Sequence, residues 1–244
     1  MISETACREC PLRSCGAFAA NTPEELAFIE KFKTHESAAA AGSSILDEGR
    51  SGAALYTLLS GWAFRYRTLR DGRRQILNFL LPGDFIGLHE QVLGAASHGV
   101  EALTGVRLCA FDRNSLWDLY RTHPALGYDI TWLSAHEELI VDENLLSVGR
   151  RSALERIAML LLQVYRRAQG VGLDGPHGVP FPITQQHLAD ALGLSLVHTN
   201  KTLRKLHGLG LHDIRNGRLK IHNPAAVQRL ADDPATPVRA RPLI

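Results

Sequence analysis

The segment Thr184–Leu206, TQQHLADALGLSLVHTNKTLRKL, constrains this chain more than any other. Thr184 can cap a first helix running through Leu188, Ala189 and Leu192, and Gly193 falls where the chain must turn. Leu194 then points back towards a core, and Ser195 caps a second helix. Two short helices joined in this way form a helix-turn-helix, whose second helix lies in the major groove of DNA with its N-terminal residues at the base edges. A turn at Gly193 sends Ser195, Leu196, Val197, Asn200, Lys201 and Arg204 outward. Asn is suited to a bidentate pair with adenine, and Lys and Arg to guanine or phosphate.

The same pattern also fits two amphipathic helices in an ordinary core, and the residues after Leu206 decide between the two. After His207 they read GLGLHDIRNGRLKIHN, two short runs about Asn216-Gly217, a dipeptide suited to a tight hairpin. Helix, turn, helix and hairpin in that order read as a winged helix. Charge points the same way. Residues 1–149 hold 13 Lys/Arg against 19 Asp/Glu, a net of −6, whereas residues 150–244 hold 14 against 6, a net of +8. A basic half beside an acidic one implies a polyanion partner for the former, here double-stranded DNA.

With 244 residues the chain is long enough for one large domain or two small ones. No apolar run reaches the length of a membrane span, and the first residues lack a basic-then-apolar signal pattern, so a cytoplasmic protein without a membrane partner is expected. An enzyme is not expected. The sequence has no GxxxxGK[ST] loop, no GxSxG elbow and no HExxH. Glu137-Glu138 and Asp142-Glu143 resemble paired carboxylates, but neighbours on one helix diverge, which reads as a solvated acidic face.

From the N-terminal side, residues 22–35 suggest a short helix, with Thr22 as cap, Pro23 at the first helical position, and Glu24 and Glu25 in the first turn. From about Ala38, short strand-forming runs alternate with Gly61, Gly72, Gly83, Gly94 and Gly105, spaced eleven residues apart. That spacing implies an antiparallel sandwich or barrel with a turn at each glycine. Arg65, Arg67, Arg73 and Arg74 flank the first hairpin and read as a solvated face. Pro124 to Val148 should form one long helix with two apolar stripes. Leu126, Ile130, Leu133, Ile140, Val141 and Val148 make the first, and Tyr128, Trp132, Ala135, Leu139 and Leu146 the second. One can pack on its own β-domain and the other on a second copy, giving a coiled-coil homodimer. Glu137 and Asn144 would then be costly polar insertions that set register or make association conditional. Gly149-Arg150-Arg151-Ser152 should break the helix as a hinge, with Ser152 capping the next.

The cysteines leave several readings open. Cys7, Cys10 and Cys15 lie in the run CRECPLRSC, and Cys109 is far away in a predicted strand, VRLCAF. An intracellular setting argues against disulfides. Four thiolates suit an iron–sulfur cluster, a Cys₄ or Cys₃His site suits zinc, and Cys109 alone suits a small buried apolar position.

Sandwich, long two-faced helix and winged helix in this order resemble the Crp/Fnr family of bacterial transcription regulators over nearly the whole chain. The hairpin followed by LPGDFIG, the helix RRSALERIAMLLLQVYRR and ITQQHLADALGLS carry the resemblance. It implies an α+β fold: an N-terminal β-sandwich or jelly-roll, cyclic-nucleotide-binding-like domain, a long dimerisation helix, and a C-terminal winged helix-turn-helix domain. The implied boundaries are a cysteine segment over 1–21, a β-roll sensor domain over 22–123, the dimerisation helix over 124–149, the winged helix over 150–229 and a disordered tail over 230–244. The cysteine layout is similar to that of the Fnr branch, which implies an oxygen-labile [4Fe-4S] cluster on Cys7, Cys10, Cys15 and Cys109. The gap between Cys10 and Cys15 is one residue shorter than in that branch. The resemblance also implies RNA polymerase as a partner and an inverted-repeat operator. The Crp and Fnr branches carry Glu and Arg where this chain has Val197 and Lys201, so their operators do not transfer. Cyclic nucleotide binding is not expected, because no Arg or Lys lies between Asp84 and Val106 to clamp a buried phosphate.

Overall fold

The computed structural model describes residues 4–50, 54–234 and 240–244. It divides into two compact units. The first takes in the chain up to Arg67, then Leu80–Leu139 and residues 240–244, and the second takes Thr68–Phe79 and residues 140–234.

The first unit opens with two 3₁₀ turns, Cys7–Glu9 and Pro11–Ser14. Helix α1 (Pro23–Phe32) begins with Thr22 and Glu25 bonded reciprocally, satisfying two backbone N–H groups that the helix start would otherwise orphan. It stops three residues short of the expected end, because Lys33 already belongs to β1 (Lys33–Ala39), paired antiparallel with β8 (Val106–Asp112). Between them in the chain lie β2 (Ser44–Leu46), β3 (Ala54–Ser60), β4 (Ala63–Thr68), β5 (Arg74–Leu80), β6 (Phe85–Ile86), α2 (Leu88–Leu93) and β7 (Gly99–Ala102), β5 belonging to the second unit as far as Phe79. The sheets run β1-β8-β3-β6 and β2-β7-β4-β5. Strand β8 buries alternate residues Val106, Leu108 and Ala110, as a strand with one face on the core must. Val106 and Leu108 meet Leu58, Ala63, Leu80, Ile86 and Val100 from both sheets, which is the expected sandwich. Gly61, Gly72, Gly83 and Gly94 do turn the chain at positive φ; Gly105 does not. At Gly61 a Cβ would lie 2.3 Å from the Gly105 carbonyl oxygen, so no other residue fits there.

Helix α3 (Leu116–Thr122) leads into α4 (Pro124–Arg150), which runs straight through Gly149; the chain changes direction only at Arg151. The first stripe of α4 is covered by its own chain. Leu126 and Ile130 are 0 % exposed and join Phe32, Phe85, Phe111 and Leu119 in one core. The second stripe is covered only in part: Trp132 packs against that same core, whereas Tyr128 is 70 % exposed, Leu139 66 % and Leu146 49 %.

Two expectations need correction here. Glu137 and Asn144 are not insertions at a seam between copies; each has an intrachain partner. Glu137 pairs with Arg65 of β4 at 2.5 Å, both side chains largely buried. Arg65 is therefore not part of a solvated face, unlike Arg73, which is exposed. Asn144 donates to the Leu77 carbonyl at 2.6 Å.

In the second unit Ser152 and Glu155 cap α5 (Ala153–Gly170) reciprocally. Helices α6 (Gln185–Leu192), α7 (Leu196–Gly208) and α8 (Pro224–Ala231) pack with it, and β10 (His212–Arg215), β11 (Arg218–Ile221) and β9 (Val179–Pro180) form a three-stranded sheet in that order. The hairpin segment Thr68–Phe79 is tied into this unit: Gln75 donates to the Ala191 carbonyl at 2.9 Å, and Arg167 to that of Phe79 at 2.7 Å.

The disordered tail over 230–244 is also corrected for its described part. Leu230 and Ala231 complete α8, and Asp233 accepts from Arg166 at 2.5 Å. Residues 241–244 are buried within the first unit, where Arg241 finds a carboxylate and Leu243 and Ile244 find apolar cover. Residues 235–239 of that tail, like 1–3 of the cysteine segment, lie outside the described residues.

Removing one partner of a buried ion pair strands the other's charge. Replacing Glu137 with Ala should therefore lower stability by about 3–5 kcal/mol in urea unfolding, whereas the double change Arg65→Met, Glu137→Leu should recover most of that loss.

Candidate nucleic-acid interface and cysteine cavity

The two-helix element is built from local chemistry. Thr184 accepts from the His187 amide at 3.2 Å and caps α6. Gly193 ends α6 in the left-handed conformation at φ 63°, which returns its amide to the Ala189 carbonyl. Ser195 accepts from the His198 amide at 3.2 Å and starts α7. Arg156 of α5 donates to the Leu192 carbonyl at 3.0 Å, fixing the end of α6 on the domain core. Helix α7 buries Thr199, Thr202, Leu203 and Leu206. Its other side presents Ser195, Leu196, Val197, Lys201 and Arg204 to solvent, with Asn200 half-buried beside them. The outward set read from the sequence is thus brought onto one surface.

The hairpin rests on Asn216 and Gly217, both at positive φ (51° and 69°), between Arg215 and Arg218, which face each other across β10 and β11. That is the two-residue turn whose twist matches its strands. Three exposed residues extend the surface beyond the set expected from sequence: His198 in the first turn of α7, Arg215 at the hairpin tip and Lys220 on β11. His198 was legible in principle, being in the same first turn as Val197 and Asn200; the two wing cations needed the register of the strands.

The four cysteines are only partly brought together. Cys7, Cys10 and Cys109 line one cavity of about 20 Å³, with Lys33, Leu243 and Ile244 among its other walls. Cys15 is not among the lining residues. A cavity of that size admits a water. Among the described residues no group of three or more His, Cys, Asp or Glu is disposed to hold a metal ion. Donor type and number fit a four-thiolate group; their disposition in this conformation does not. Burial pushes the Cys109 thiol up to about 12 and raises that of Cys7, with Lys33 opposing both. Thiolate, which a metal requires, is disfavoured while these residues stay packed. The segment is anchored by charge. The Glu36 carboxylate, buried beneath it, accepts from the Thr5 amide and Lys33 at 2.7 Å each and from Arg107 at 2.5 Å.

A second cavity lies beside the Arg65–Glu137 pair, lined also by His89, His98, Leu133 and Ser134. Burial, then the Arg65 charge, lowers both histidines, His98 to about 4. The stretch between Asp84 and Val106 holds no cation, but Arg65 reaches this cavity from β4, earlier in the chain.

Two family models match the chain, the cyclic nucleotide-binding domain over residues 37–123 and the Crp-like helix-turn-helix domain over residues 155–230. The nitrogen fixation regulation protein FixK of Bradyrhizobium diazoefficiens is 31% identical over 92% of this chain and 93% of its own length. The chain belongs to the Crp/Fnr family of transcription regulators. It is accordingly a DNA-binding regulator and not an enzyme. Another relative in the family, the transcriptional activator protein FnrL of Cereibacter sphaeroides, is 30% identical over 82% of this chain and 81% of its own length. The solved structure of FixK2 from Bradyrhizobium japonicum covers 83% of this chain and 98% of its own at 27% identity, with a TM-score of 0.73. Among the described residues no helix is long and apolar enough to cross a membrane.

The wing carries a pH dependence. His212 of β10 is buried, and burial, then the nearby His207, lower its pKa to about 4. The unfolded imidazole, near 6.5, binds a proton that the folded one refuses, so stability is fully present above about pH 6.5 and falls as pH drops towards 4. Between about pH 7 and pH 5 the winged helix should lose about 2 kcal/mol, measured by urea unfolding followed by circular dichroism, and a His212→Phe chain should lack this His-dependent loss.

Proposed function

We propose that this regulator acts in the cytoplasm as a homodimer that reads an inverted-repeat operator and engages RNA polymerase. We further propose that its DNA affinity responds to redox state through Cys7, Cys10, Cys15 and Cys109. Support for the dimer is the apolar surface that α4 leaves exposed at Tyr128, Leu139, Leu145 and Leu146: exposed patches of that kind mark association surfaces. The proposed base-reading set is Ser195, Leu196, Val197, Asn200, Lys201 and Arg204, because they share the exposed face of a capped second helix in a basic half of the chain. The support for redox response is chemical: three of four thiols meet at one cavity although Cys109 lies far from the others in sequence.

A [4Fe-4S] cluster is the proposed cofactor on the number and type of these donors. The water-sized cavity and the raised thiol of Cys109 favour, as a second reading, a regulator of the same family without a cluster, its cysteines serving as packing; zinc, the other metal four cysteines suit, would need the same thiolates as the cluster. Cyclic nucleotide is not proposed as the effector. The cation at the inner cavity, Arg65, is already neutralised by Glu137, so a phosphate entering there would have to displace a buried carboxylate.

Two experiments test the proposal. Purified without oxygen, the protein should be brown with about four irons per chain, and Cys109→Ser should abolish the colour; an iron-free, colourless product overturns the cluster and leaves the second reading. Footprinting on selected operators should give half-sites about one helical turn apart, and Lys201→Ala should relax base preference rather than weaken all sequences equally. Unchanged preference in that variant would reject the assigned register of α7.

A further inference from the structure

We propose that residues 240–244 form a strap that closes the cysteine cavity, so that access to Cys7, Cys10 and Cys109 depends on whether this segment is docked. Arg241 aligns parallel with Phe18 of the cysteine segment: its amide donates to the Ala17 carbonyl at 2.9 Å, and its carbonyl accepts from the Ala19 amide at 2.9 Å. Its guanidinium lies 4.9 Å over the Phe18 ring, pairs with the buried Asp84 carboxylate at 2.5 Å and donates to the Pro82 carbonyl at 2.7 Å. A guanidinium filled on three sides by a ring, a carboxylate and a carbonyl is a latch of defined shape rather than a chance surface contact.

The turn beneath the latch is cut to it. Gly83 sits at φ +89°, and a Cβ there would lie 2.3 Å from the Phe18 ring and 3.0 Å from the Arg241 guanidinium. Beyond the latch, the Ile244 carbonyl accepts from the buried Thr57 hydroxyl at 2.8 Å. Leu243 and Ile244 then supply walls of the cavity that Cys7, Cys10 and Cys109 line, and Ile244 shares a core with Cys7 and Phe111. The cysteine segment and the strap therefore cover each other. The strap comes after α8 in the chain yet belongs to the first unit.

The closure is a property of the metal-free polypeptide and holds whether or not the thiols take iron. The test uses the full-length protein, iron-free and reduced, with N-ethylmaleimide as the probe and mass spectrometry as the readout for each cysteine. Arg241→Ala, and separately removal of residues 240–244, should raise the labelling rate of Cys7 and Cys109 about tenfold or more, because loss of a buried charge partner favours local opening. Arg241→Lys, which keeps the charge but not the fork, should fall between. Hydrogen exchange on the unaltered chain provides a reading that needs no variant: the Arg241 amide should be protected like the strands of the sandwich. Unchanged labelling in both the Ala and the shortened chain, or exchange of the strap at the rate of exposed backbone, overturns the proposal.

Discussion

Helix α4 carries more apolar surface than one chain covers. Leu126, Ile130 and Leu133 are taken up by the β-sandwich unit, and Ile140 lies among Leu160 and Val164 of the second unit. Tyr128, Leu139, Leu145 and Leu146 are left facing water. A helix hydrophobic on two sides buries both when it is stable in its working state. The proposed homodimer answers that requirement, and it would also supply a pair of α7 helices rather than one. Specific recognition of an inverted repeat needs two reading helices at a fixed separation.

The features legible in the sequence were those that local chemistry decides. Thr184, Gly193 and Ser195 each act within four residues of themselves, and Asn216-Gly217 fixes its hairpin alone; these elements stand where the residues implied. The sandwich and the two stripes of α4 were legible because period and turn spacing are properties of short windows. The partners of Glu137 and Asn144 were not. Both look like flaws in an apolar stripe until Arg65 and the Leu77 carbonyl arrive from strands about seventy residues earlier. The segment 240–244 misled for the same reason. Its composition resembles a solvated tail, and only Asp84, Thr57 and Phe18, all distant in sequence, make it a buried one.

The cysteine segment is held from two sides. One buried carboxylate, Glu36, gathers the Thr5 amide, Lys33 and Arg107 at the first. The Arg241–Asp84 latch holds the second. Burial raises the Cys7 and Cys109 thiols, which disfavours their thiolate forms while both stay packed. In the proposed redox response, opening of this segment would convert a local chemical event into a change of packing.

The proposed pairing of two copies rests on the exposed apolar residues of α4. Sedimentation equilibrium of the unaltered chain and of a Leu139→Glu, Leu146→Glu chain, each with and without operator duplex, tests it most directly. The unaltered chain should sediment as two copies on the duplex and the altered one as a single copy. An unaltered chain that remains a single copy under every condition, on the duplex as well as off it, would contradict the dimer and the two-helix reading of DNA together.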